Sequence, residues 1–172
     1  EIFFLHNKSL STGYPFCLFK HPAIPFIEDM ESIHSRIPHR PPFLFIDEII
    51  EITDSSAKTK LKVSPDMPFF EGHYPGNPIM PGVLLSEAVF QTGAIFLSEH
   101  MKEVDALTDE SVTPVLSRIR DARFKRMVKP DDELEISVFL GEKIGQFFNL
   151  RGEIRNKGKV AMTVSFALAL VK

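Results

Sequence analysis

Between residues 81 and 101 the chain carries apolar side chains on every side of a helical projection: Val83, Leu84, Leu85, Ala88, Val89, Phe90, Ala94, Ile95, Phe96 and Leu97. A helix that is apolar all round is unstable unless it is covered on most sides. Pro81 is well placed as its first residue, where a missing N–H costs nothing. Ser86, Glu87, Gln91 and Thr92 interrupt the run. It also falls short of the roughly 20 apolar residues that a membrane span needs, so it reads as a core helix. The cover must come from strands. Residues 43–52 are rich in β-branched and aromatic side chains, a turn-prone 53–56 follows, and 57–63 alternates, which together predict a hairpin. The acidic stretch 103–110 reads as a loop. Beyond it lie four more strand candidates at 112–127, 133–141, 146–155 and 160–171, with breaks at 129–132, 141–145 and 156–158. One long helix and about six strands predict an α+β domain in which a curved antiparallel sheet wraps the helix.

At 172 residues with 44% hydrophobic side chains, the chain is long enough for one domain with a proper core. A net charge of -3 gives no global electrostatic case for nucleic acid or an anionic membrane. The single cysteine, Cys17, can form no internal disulfide, and no Cys/His cluster has structural-zinc spacing. A reducing compartment, the cytoplasm, is therefore expected. Residues 1–29 are rich in Phe, Pro and Ser without helical or alternating periodicity, and read as an extension to a domain spanning 30–172. They fit a leader or a remnant of processing or cloning. They fit a targeting peptide poorly, lacking a cationic head before a compact apolar core; an organelle is expected only if they are the residue of one.

Chemistry concentrates between His73 and Glu87. His73 stands in a turn, Gly72-His-Tyr-Pro-Gly76, whose Gly and Pro fix the backbone and can aim a ring nitrogen into a pocket. A neutral imidazole is a natural general base. Taken alone, a turn histidine is more often structural, and His6, His21, His34, His39 and His100 carry no better claim. Glu87 lies among apolar neighbours, where lost hydration raises a carboxyl pKa and makes the group a proton donor. Gln91, one turn on, can orient it. Alternatively, Glu87 reaches solvent at a packing seam or pairs with Arg118 or Arg123. Gly82, at the helix start, offers an unpaired N–H at the positive end of the dipole, able to polarise a carbonyl oxygen, or it is only a steric allowance. Base, acid and oxyanion donor in one turn–helix unit fit proton abstraction beside a carbonyl with departure of a β-hydroxyl.

The run Met67-Pro-Phe-Phe-Glu-Gly-His-Tyr-Pro-Gly-Asn-Pro-Ile-Met-Pro-Gly82, followed by Glu87-Ala-Val-Phe-Gln91, closely resembles the β-hydroxyacyl-[acyl-carrier-protein] dehydratases of type II fatty-acid synthesis, the FabZ type. Ile37-Pro-His-Arg-Pro-Pro-Phe-Leu-Phe-Ile-Asp47 looks like that family's opening, and Asp121-Ala-Arg-Phe-Lys-Arg126 like its third-strand signature. The resemblance covers about residues 30–172. It implies a hot-dog fold and dehydration of (3R)-hydroxyacyl to trans-2-enoyl thioesters without metal or redox cofactor, the substrate riding on the phosphopantetheine of acyl carrier protein. It makes His73 and Glu87 the catalytic pair and Gly82 the donor to the thioester carbonyl. It also implies a homodimer in which His73 and Glu87 meet across subunits, with trimers of dimers beyond. Where relatives usually have Pro-Gly-Asp, this chain has Pro130-Asp-Asp132, which leaves that turn open. Phe70 and Phe124, with Phe69, Phe90 and Phe96, are candidates for an acyl tunnel as well as for ordinary core. Arg120, Arg123, Lys125 and Arg126, near Arg118 and Lys129, suit docking of an acidic carrier protein, or form a solvated strand face. Three rivals stand beside this reading: a bifunctional dehydratase/isomerase, which typically carries aspartate in place of Glu87; a hot-dog thioesterase; and a non-catalytic carrier-protein binding module.

Overall fold

A computed structural model of the protein describes residues 30–104 and 113–171, with side chains to residue 101 in the first stretch. The extension 1–29 and most of the loop expected at 103–110 lie outside the described residues. The elements run α1 (Met30–Arg36), β1 (Glu48–Thr53), β2 (Ser56–Lys62), a 3-10 turn (Pro68–Glu71), α2 (Gly82–Val104), β3 (Thr113–Phe124), β4 (Glu133–Ile144), β5 (Phe147–Asn156) and β6 (Lys159–Val171). The six strands form one antiparallel sheet in the order β1-β2-β4-β5-β6-β3. Helix α2 lies against it, with Ala88, Val89, Ile95, Phe96 and Leu97 all fully buried. The α+β expectation of a helix covered by six strands holds.

Two glycines let α2 come this close. A Cβ at Gly152 of β5 would collide with the Val89 side chain, and one at Gly93 of α2 would sit 2.9 Å from the Phe166 ring. Buried residues alternate along β4 and β5, as half-buried antiparallel strands require, whereas residues 166–169 of β6 are all buried.

Several boundaries differ from expectation. Helix α2 starts at Gly82, with Pro81 just ahead: the Pro81 carbonyl accepts from the N–H groups of Leu84 and Leu85 at 3.0 and 3.1 Å. It runs on to Val104, past the expected end near Met101. Strand β1 begins at Glu48, not at residue 43. The break expected at 141–145 narrows, because β4 continues to Ile144 through a register shift between Leu140 and Lys143, and the chain turns at Gly145 with φ 59°. The turn at Lys157 and Gly158, both at positive φ, matches the break expected there. In the open question at 130–132, Asp131 adopts φ 67°. An aspartate thus holds the left-handed conformation that glycine adopts most freely, and the turn is retained. The short α1 was not anticipated; it buries Ile33 and is tied to α2 by Arg36, whose Nε meets Glu99 at 3.0 Å.

Candidate active site

The segment between the 3-10 turn and α2 carries His73. Its N–H donates to Phe69 O at 3.0 Å, which fixes the histidine at the end of the 3-10 turn. Tyr74 follows at φ 55° and Gly76 at φ 84°, so the chain reverses tightly, closed by Asn77 N–H to Tyr74 O at 3.0 Å. A non-glycine residue at positive φ directly before a proline is costly and persists only where its surroundings impose it. The His73 ring packs edge-on to Tyr74 with centroids 4.6 Å apart, and neither ring nitrogen bonds to another described residue. It is left available to a ligand.

His73, Gly82, Leu85, Phe124, Lys125 and Arg126 line one open groove of about 850 Å³. No described group accepts from the Gly82 N–H, as expected for the first residue of a helix. A Cβ at Gly82 would come within 3.0 Å of the half-exposed Phe124 ring. Gly82 thus allows the close approach of Phe124, and its N–H is unpaired among the described residues.

Glu87 does not line that groove. It lies five residues along α2, and its Oε1 accepts from Gln91 Nε2 at 2.9 Å. Gln91 is 1% exposed and fully committed. Its Nε2 also donates to Phe43 O at 3.0 Å, while its Oε1 accepts from Phe45 N–H at 2.9 Å. The side chain that bonds Glu87 is thus itself pinned to the main chain at two points. Neither Arg118 nor Arg123 pairs with Glu87. The ionisable neighbour is His39, with Nε2 3.6 Å from Glu87 Oε1. His39 was not separated from the other histidines by sequence reasoning. The signal available was its place in the Pro38-His39-Arg40 run, and its contact to Glu87 spans 48 positions that no local pattern links.

The remaining candidates scatter. Phe70 is buried in the core, tilts against Phe69 at 4.5 Å and does not line the groove. Lys125 and Arg126 line the groove with His73. Arg120 lines a second groove on the sheet with Arg118 and Arg151. Arg123 is held by Asp121 at 2.9 Å, at a β3 bulge where Asp121 takes φ 51°. The basic residues therefore face at least two surfaces. Among the described residues, no helix is long and apolar enough to cross a membrane.

A family model described as FabA-like domain matches residues 37–165. This chain belongs to the FabA-like family, and to its FabZ type. The 3-hydroxyacyl-[acyl-carrier-protein] dehydratase FabZ of Caulobacter vibrioides is 37% identical over 84% of this chain and 89% of its own length. That of Oceanobacillus iheyensis is 37% identical over 83% of this chain and 98% of its own. Among solved structures, the dehydratase heterocomplex ApeI:P from Xenorhabdus doucetiae superposes with a TM-score of 0.69 at 21% identity, over 81% of this chain and 91% of that one. At that identity the likeness carries the fold, the hot-dog arrangement of sheet and central helix. Like the FabZ proteins it matches, the chain is an enzyme.

Proposed function

We propose that the protein dehydrates (3R)-hydroxyacyl thioesters carried on acyl carrier protein to trans-2-enoyl thioesters. The observation that carries this reading is the 37% identity to FabZ dehydratases over five-sixths of the chain, spanning the whole run from the His73 turn through Glu87 and Gln91.

In the proposed reaction His73 removes a proton from C2, and the electron pair moves toward the thioester oxygen, where the Gly82 N–H stabilises the developing charge. The pair then returns to form the C2–C3 double bond as the C3–O bond breaks. Glu87 gives its proton to the departing hydroxyl, directly or through a water, and water leaves.

Within one chain His73 and Gly82 share a groove that Glu87 does not line. That separation supports a site completed by a second copy. Strand β3 supports it too: among the described residues it pairs along one edge only, and it leaves Val115, Leu116 and Ile119 between 38% and 50% exposed. Unpaired edges of this kind are usually covered or blunted. We place the dimer contact along β3, so that one subunit's Glu87 serves the partner's groove, with trimers of dimers beyond.

A hydration assay on crotonyl thioester tests the reaction. His73→Ala and Glu87→Gln should each lower turnover by about 10²-fold or more while the melting temperature holds. Wild-type rates in both variants would sink the assignment. Release of free thiol would point to thioester hydrolysis, and a cis-3 product to the isomerase reading.

A further inference from the structure

His39 ends up beside the Glu87 carboxylate although it belongs to the loop after α1. Its Nε2 is 3.6 Å from Glu87 Oε1, the oxygen that Gln91 already holds at 2.9 Å. The other carboxylate oxygen, Oε2, has no hydrogen-bond partner among the described residues. The two neighbours therefore address one oxygen and leave the second free. A catalytic contact of this kind is often long before substrate binds, and 3.6 Å needs only a small carboxylate rotation to close.

The imidazole is not there for packing alone. Its ring lies nearly parallel to Phe43, with centroids 6.3 Å apart and planes at 25°. Its Nδ1 is buried with no partner. An unsatisfied buried nitrogen costs stability, and a phenyl ring would fill the same space without that cost. The nitrogen that has a use is Nε2. The ring's backbone is also held, since Arg40 Nη1 donates to His39 O at 2.7 Å, with its other bonds to the carbonyls of Ile37 and His34. Those bonds turn the Arg40 guanidinium to main-chain oxygens.

We propose that His39 is a positioning residue for Glu87: with Gln91 it fixes Oε1 from two sides, so that Oε2 is presented to the departing hydroxyl. The proposal rests on Glu87 acting as the acid. Gln91 sets the carboxylate along the helix axis, and His39 sets its rotation about the last side-chain bond.

The test uses the full chain with His39→Phe, which keeps the ring and loses the donor, and His39→Gln, whose amide nitrogen can occupy the place of Nε2. Turnover, KM and melting temperature are measured on crotonyl thioester, alone and in the Glu87→Gln background. His39→Phe should lower kcat about 10-fold with KM within about 2-fold, the size expected of a misaligned reacting group. His39→Gln should recover to within about 3-fold of wild type, and His39→Phe should add nothing once Glu87 is Gln. Wild-type kcat in His39→Phe overturns the proposal, as does equal loss in both variants, or a loss that tracks a lowered melting temperature. If Glu87→Gln itself turns over at the wild-type rate, the acid role of Glu87 falls. If Glu87→Gln is slow and His39→Phe is not, only the positioning role falls.

Discussion

Strands β5 and β3 flank β6, one on each side, and pair with it over comparable lengths. Their surroundings are unlike. Along β5 alternate residues vanish into the core, with Phe148, Leu150 and Ile154 at most 2% exposed. Along β3 no residue is buried, although Val115, Leu116, Ile119 and Phe124 are as apolar as their counterparts. Composition does not separate the two; position does. Helix α2 approaches both strands, but β5 has a neighbour on each edge, whereas β3, among the described residues, has a strand on one edge only. The fold of the single chain is therefore secured on the β5 side, and β3 carries apolar area that the single chain does not bury.

This contrast can be broken most severely at Gly152. Gly152→Ala places a Cβ into Val89, which is wholly buried on α2, and should cost about 3 kcal/mol or more, measured by denaturant unfolding. A loss below about 1 kcal/mol would mean that α2 can shift off β5, contrary to a core packed this tightly. A middle-sized effect is expected at Asp132, which braces the turn into β4 against the turn that ends β5. Burial pushes its carboxyl up, but the Lys129 N–H at 2.9 Å, Lys157 Nζ at 3.0 Å and Asn156 together outweigh burial and hold it below the usual carboxylate range. A lowered folded-state pKa contributes stability that is present above the unfolded value of about 3.9 and is lost as pH falls through the folded value. Asp132→Asn should cost about 1–2 kcal/mol at neutral pH and flatten the acid limb of a stability-versus-pH curve. An unchanged acid limb would remove Asp132 from that role. The smallest cost to folding is expected on β3. Ile119→Lys should change chain stability by no more than about 0.5 kcal/mol, because the side chain is half exposed already. The same variant should shift sedimentation from dimer to monomer and lower turnover at least about 10-fold. A fully active monomer would undo the shared-site proposal.

The pattern of the chain made α2 and all six strands legible, because periodic apolar residues report burial wherever one element meets one core. It failed where tertiary partners decide. Residues 43–47 read as strand on their aromatic and β-branched content, yet Phe43 O and Phe45 N–H are taken by the Gln91 amide and not by a neighbouring strand, which delays β1 to Glu48. Helix α1 is seven residues with one fully buried side chain, too short to declare a period, and an ion pair to Glu99 holds it. Of the residues proposed for the site, His73, Gly82 and Glu87 stand out in the sequence by their local setting. His39 was not, because nothing near Pro38 announces a carboxylate on α2. The exposure of β3 was also hidden, since an apolar strand looks the same whether its own chain or another covers it.

One main-chain hydrogen bond joins these regions. After β3 the chain passes Lys125 and Arg126 and returns so that Val128 O accepts from Met80 N–H at 2.8 Å, both residues being buried. Met80 stands two positions before Gly82. The free donor at the head of α2 is thereby tethered to the far end of the open strand, and a sideways slip of β3 drags that donor with it. In the proposed dimer, contact along β3 and alignment of the carbonyl at the Gly82 N–H would then be adjusted by the same lever.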